Sequence, residues 1–128
     1  MTKLKLLKEV YKPKESDIRK DIQKWLNFKC IFNWREWQGQ FSVKGVPDII
    51  GILPNGKILG IEVKLPGWKG PRTKHELEQA DFHRQIRLSN GVAFFATSVE
   101  DVKSQLEIVR YPVSRQDPGV IDLGKAGK

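Results

Sequence analysis

GVPDIIGILPNGKILGIEVK, residues 45–64, sets two runs rich in Ile, Leu and Val on either side of Pro54-Asn55-Gly56, the pattern of a β-hairpin. Pro54 lacks an N–H and is a poor partner in the narrow pair that a two-residue Asn-Gly turn would close. A three-residue loop fits better, with Pro54 and Asn55 central in a type I turn, Gly56 left-handed and Leu53 paired with Lys57. That register sets Asp48 opposite Glu62 and Val46 opposite Lys64, and the period of two gathers Asp48, Glu62 and Lys64 on one side of the sheet. The remaining positions are apolar on both sides: Ile49, Leu53, Leu59, Ile61 and Val63 on one, Ile50, Ile52 and Ile58 on the other. Such a pattern predicts central strands covered on each side. Opposed carboxylates repel there, so one protonates or a cation joins them. A divalent ion resolves the conflict, since Mg²⁺ takes one or two protein carboxylates and leaves positions for water and a substrate phosphate. The plainer alternative is an ion cluster at the sheet's end in which Lys64 neutralises Glu62.

Upstream, ESDIRKDIQKWLNF (15–28) carries Ile18, Ile22, Trp25 and Leu26 at helical spacing, one apolar stripe. Glu15 continues that stripe by one turn and is expected to point inward. Alone it is an ordinary first-turn carboxylate favoured by the helix dipole; beside the hairpin cluster it becomes a candidate third metal ligand. CIFNWREWQ (30–38) alternates loosely and predicts a strand. Downstream, Thr73 and Glu76 form a capping box opening a helix that runs to Ser89 and stops at Asn90-Gly91. VAFFAT (92–97) predicts a buried strand, SVEDVKSQL (98–106) a short helix and EIVRY (107–111) a last strand. The order α, three β, α, β, α, β is that of an α/β fold with helices for both faces of the sheet.

A chain of 128 residues has room for one compact domain and one site. That domain is expected over residues 15–110. A basic segment (1–14) precedes it, either an apolar strand or helical turn or a basic arm, and a Pro- and Gly-containing arm (111–128) follows. Four Trp, six Phe and 39% apolar residues exclude wholesale disorder. Twenty-three Lys and Arg against fifteen Asp and Glu give a charge of +8, which points to a polyanionic partner, nucleic acid ahead of anionic membrane. Cys30 is the only cysteine, which excludes a disulfide framework and a multi-cysteine zinc site and makes a reducing cytoplasm the expected compartment. The N-terminus lacks the apolar core of a secretory leader, and no run approaches the length of a membrane span.

The loop after Lys64 carries Trp68, Lys69, Arg72 and Lys74 and no acidic residue. It suits phosphate contacts and base stacking, and equally a surface loop whose Trp covers a core edge. Lys44 and Arg35 either extend a phosphate track or are solvated cations. His75 and His83 lack metal-binding spacing and are expected at the surface, with His75 a candidate substrate contact.

Pro47-Asp48, Glu62-Val63-Lys64 and the preceding Glu15 resemble the PD-(D/E)XK nuclease superfamily. More narrowly, GVPDII (45–50), IEVK (61–64) and Gln79 with Phe82 three residues on are similar to the VRR-NUC domain in its stand-alone form, over roughly residues 15–106. The resemblance implies an α-β-β-β-α-β core, a mixed central sheet flanked by helices, that hydrolyses phosphodiesters with Mg²⁺ or Mn²⁺. It further implies that Glu15, Asp48, Glu62 and the Val63 carbonyl hold metal, that Lys64 orients or activates the attacking water, and that Gln79 stands at the edge of the active site. The segment between Lys64 and Gln79 is variable in that family and long here. The resulting expectation is a metal-dependent DNA endonuclease selective for branched, Holliday-junction-like DNA and acting as a homodimer, because one centre cuts one strand. Leu4, Leu6, Leu7, Val113, Val120, Ile121 and Leu123 offer apolar surface to a second copy, or fold back on their own core. The competing readings are a non-catalytic nucleic-acid-binding module and a monomeric nicking nuclease.

Overall fold

A computed structural model describes residues 12–37 and 43–108. Helix α1 (Glu15–Phe28) starts where the Lys14 N–H donates to the Asp17 carboxylate at 3.1 Å. It stops where Cys30 turns left-handed (φ 58°), with the Cys30 and Ile31 N–H groups donating to the Asn27 and Leu26 carbonyls. Strands β1 (Phe32–Arg35), β2 (Ile49–Ile52) and β3 (Ile58–Val63) form an antiparallel meander. Helix α2 (Lys74–Leu88) carries the chain over to β4 (Val92–Ala96), which lies parallel to β3, and α3 (Val99–Ile108) follows. The sheet is therefore mixed, in the order β1-β2-β3-β4.

The hairpin has the expected register, Ile49 opposite Ile61 and Ile52 opposite Ile58. Its three-residue loop closes through the Leu53 N–H donating to the Lys57 carbonyl (2.9 Å) and the Gly56 N–H to the Leu53 carbonyl (2.8 Å), with Gly56 at φ 87°. The capping box of α2 is likewise in place: the Glu76 N–H donates to Thr73 Oγ1 and the Thr73 N–H to the Glu76 carboxylate. Asn90, at φ 70°, takes the left-handed stop, and the Gly91 N–H closes on the Ile86 carbonyl at 2.8 Å.

Helices α1 and α3 cover one side of the sheet. Ile18, Ile22 and Leu26 meet Ile49, Leu59, Ile61, Val63 and Phe94 there, with Val102 and Leu106 completing a dry core. Helix α2 lies on the other side, close against β3 at Gly60, where an added Cβ would come within 2.9 Å of the Ile86 side chain and 3.0 Å of Pro47. That side is only half covered. Ile50 is buried there, but Ile52 is 43% and Ile58 41% exposed at the hairpin-loop end, contrary to central strands buried on both faces along their whole length. Beside them Phe32 is 65% exposed. Strand β1 is also shorter than residues 30–38, and its core-facing residue is polar: Asn33 accepts from Gln23 at 3.2 Å and donates to Asn27 at 2.9 Å.

Of the last expected strand, Glu107 and Ile108 continue α3 instead, since Val99, Val102 and Leu106 hold helical spacing and the last two are fully buried; residues 109–111 lie outside the described residues. The apolar residues assigned to the two terminal segments lie outside the described residues. Among the described residues no helix is long and apolar enough to cross a membrane.

Candidate active site

The N-terminal end of β2, the C-terminal end of β3 and the first turns of α1 and α2 converge on one group of polar side chains. Asp48 immediately precedes β2 and is half-buried; its Oδ2 accepts from the Val63 N–H across the hairpin at 2.9 Å. Glu62 is 4% exposed on the side of the sheet that carries Phe95, its partner in β4. Its carboxyl is pushed up to about 10, first by burial, then by a hydrogen bond to Asp48 and the charges of Asp48 and Glu15, with Lys64 opposing. Burial and the neighbouring carboxylates thus favour the protonated form of Glu62, one of the two outcomes that like carboxylates in a sheet allow. Glu15, at the N-terminus of α1, is near enough to act on Glu62 through its charge.

Lys64 is 8% exposed and continues the parallel ladder, its N–H donating to the Ala96 carbonyl at 2.9 Å. Its ammonium makes its ion pair with Glu76, Nζ to Oε2 3.7 Å, and lies 5.6 Å and 6.0 Å from the Trp68 and Phe95 rings. Lys64 still acts on Glu62 through its charge, but the carboxylate within ion-pair distance of its ammonium is Glu76. Glu76 is well placed for that. The Arg72 N–H, the Trp68 indole N–H (2.8 Å) and the Thr73 N–H all donate to it and hold its carboxyl down at about 2. The sequence marks Glu76 as a helix cap and gives no sign that the cap also anchors Lys64.

Gln79 is 2% exposed on the inward face of α2, its Nε2 3.3 Å from His75 Nε2 and its Oε1 buried without a hydrogen-bond partner. The loop before Asp48 is pressed on the same turn: at Gly45 (φ 84°) a Cβ would meet the Glu78 carbonyl. Gln79 thus sits beside the loop that delivers Asp48. His75 is at the surface as expected, whereas His83 is not. It is 1% exposed, tilted on Phe95 at 4.5 Å, and lowered to about 4 by burial and by the positive charges of Arg87 and Lys64. The helical spacing Gln79-Phe82-His83-Ile86 contained that signal, because His83 and Ile86 lie on the face of Gln79.

The cationic residues are less gathered. Lys69 and Arg72 are exposed on the loop after Lys64, Lys74 is exposed as the first residue of α2, and Lys44 is exposed 4.0 Å from Glu78. Arg35 is exposed at the end of β1, its guanidinium 4.0 Å from the Trp37 ring centre. Trp68 is half-buried, its ring 4.5 Å from that of Phe95. One carboxylate went unnoticed in the sequence. The Glu36 N–H donates to the Asp48 carbonyl at 2.8 Å, which extends the β1–β2 register to set Glu36 opposite Asp48.

The donor set suits a hard divalent cation in part. Glu62 Oε1 is buried with no hydrogen-bond partner, and a protonated buried carboxyl beside a carboxylate is a pair that one cation can join. Among the described residues, however, no three His, Cys, Asp or Glu side chains come together as a ready ligand group. Glu15 is exposed, contrary to the inward orientation expected from its place on the α1 stripe, and reaches Glu62 through charge only.

No family model matches the chain, and no curated protein matches it significantly. It is similar to a solved structure described as a VRR_NUC domain, at 26% identity and a TM-score of 0.55, over 76% of this chain and 97% of that one. The chain is thus a distant structural homologue of a VRR_NUC domain, and its mixed four-stranded sheet flanked by helices is a PD-(D/E)XK-like nuclease core.

Proposed function

We propose that the chain is a metal-dependent endodeoxyribonuclease working at Asp48, Glu62 and Lys64. The observation that carries this reading is the Asp48–Glu62 pair, a half-buried and a buried carboxyl facing each other at the sheet end next to a nearly buried lysine on a strongly basic protein. A binding module has no use for carboxylates where an anionic strand must approach.

In this reading Asp48 and Glu62 hold Mg²⁺ or Mn²⁺, with Glu15 and the Val63 carbonyl as further ligands. When bound, the ion supplies Lewis acidity toward a phosphodiester oxygen and lowers the pKa of water. The protein supplies the rest. The Val63 N–H fixes the Asp48 carboxylate against the strand, so the pair needs little reorganisation. Glu62 gives up its proton when it takes a cation. Lys64, set beside the Trp68–Phe95 ring pair and poised by Glu76, presents an ammonium to the water or to charge developing on the phosphate. Gln79 Oε1 has free lone pairs with which to accept from a water at the edge of the site. Lys44, Lys69, Arg72 and Lys74 form the phosphate track.

The substrate we propose is branched, Holliday-junction-like DNA, cut by paired nicks from a homodimer in a reducing cytoplasm. The bare Phe32, Ile52 and Ile58 surface favours a second copy over a lone nicking monomer. Labelled four-way junctions, flaps and linear duplex, incubated with Mg²⁺ or with EDTA, test this directly. Metal-dependent nicks concentrated on the junction are expected. No cleavage of any DNA would reduce the chain to a binding module, and equal cleavage of all three would remove the branch preference.

A further inference from the structure

The described tryptophans differ in what they are committed to. Trp25 packs against the core. Trp68 lies on Phe95 and gives its N–H to Glu76. Trp34 is 38% exposed and gives its N–H to the Glu36 carboxylate at 3.0 Å, whose charge would repel a phosphate. Trp37 is 72% exposed, and its ring partner is the Arg35 guanidinium, 4.0 Å from the ring centre. An indole this open is costly in water unless something covers it.

Its position adds meaning. The Glu36 N–H to Asp48 carbonyl bond is the last step of the β1–β2 ladder toward the site, and Trp37 is the next residue. The Arg35–Trp37 stack therefore stands at the same strand end as Asp48 but toward the α1 side of the sheet, since Arg35 pairs with the core residue Ile49 whereas Glu62 faces α2. No carboxylate pairs with Arg35 among the described residues, so its N–H groups remain available to an anion while its plane covers one face of the indole.

We propose that Trp37, backed by Arg35, is a stacking platform for one unpaired nucleobase at the sheet end where β2 begins, with Arg35 contacting that nucleotide's phosphate. This gives Trp37 the base-stacking part that the sequence suggested for Trp68. The platform stands without the nuclease reading. The cation in the stack and the charge of +8 favour nucleic acid over an apolar protein partner.

The test is fluorescence anisotropy in EDTA, with a labelled single-stranded oligodeoxynucleotide and the fully paired duplex of the same sequence. Trp37→Ala weakens single-strand binding by roughly fivefold or more, leaves duplex binding within about twofold, and Trp37→Phe recovers most of the loss. Equal losses on both DNAs, or no loss on either, overturn the platform; the second result would give the exposed indole to a protein partner. Unchanged thermal midpoints in both variants exclude misfolding as the cause. Trp37-dependent binding in a protein that cuts no DNA keeps the platform and removes the nuclease. Cleavage by the wild type with unaltered single-strand binding in Trp37→Ala does the reverse.

Discussion

Ile61 and Glu62 are neighbours in β3, and both are buried, yet they stand in two different solvents. Ile61 points into the dry core that α1 and α3 close over the sheet, where each residue has apolar partners. Glu62 points to the side where α2 covers only half, among Asp48, Lys64 and Phe95, with one oxygen unpartnered. The contrast teaches that stability comes mainly from one side of the sheet, and that the other side holds costly groups in place at its expense.

Alanine at Glu62 or at Asp48 should have the largest effect on activity, a loss of metal-dependent cleavage on the order of a hundredfold to a thousandfold or more, with the fold intact. Lys64→Ala should lose turnover to a similar degree while keeping its affinity for Mn²⁺. Cleavage by Glu62→Ala at the wild-type rate would break the contrast. One position away, Ile61→Ala should cost about 2–5 kcal/mol in denaturant unfolding, because it opens a cavity in the packed side.

The pH response sharpens the comparison through two glutamates pushed in opposite directions. Glu62, raised to about 10, contributes stability that is complete below its unfolded value of 4.5 and is lost as pH climbs toward 10. Glu76, lowered to about 2, contributes stability that is present above 4.5 and is lost as pH falls toward 2. Thermal midpoints of the metal-free protein should therefore decline less on the alkaline side in Glu62→Gln and less on the acid side in Glu76→Gln. Identical profiles in wild type and both variants would contradict these assignments. The smallest effect belongs to the bare half: Ile52→Thr should alter monomer stability by no more than about 0.5 kcal/mol. Light scattering should nevertheless report weaker self-association if that surface meets a second copy.

Where the physics is local, the sequence was legible. Pro54 and Gly56 dictate the loop, the loop dictates the register, and the register brings Asp48 to Glu62; the Thr73–Glu76 cap and the Asn90 stop are equally local. What escaped was set by distance in the chain. Nothing near Ile52 or Ile58 says how much of that side α2 will cover, and Glu107 belongs to α3 only because Leu106 finds the core. Lys64 takes Glu76 as its partner because a ten-residue loop folds back onto it, and short-range periodicity carries no trace of that closure. His83 was misjudged because histidine invites an ionic reading, while its place on the face of Gln79 and Ile86 was the stronger signal.

The claim that Asp48 and Glu62 act as one cation-binding pair is tested most directly by calorimetric titration of Mn²⁺ into the protein at neutral pH, in two buffers of different ionisation enthalpy. Wild-type protein should bind with release of about one proton, and Glu62→Gln should bind far more weakly with none released. Binding of equal strength in the wild type and Glu62→Gln, with no difference between the buffers, would contradict the account.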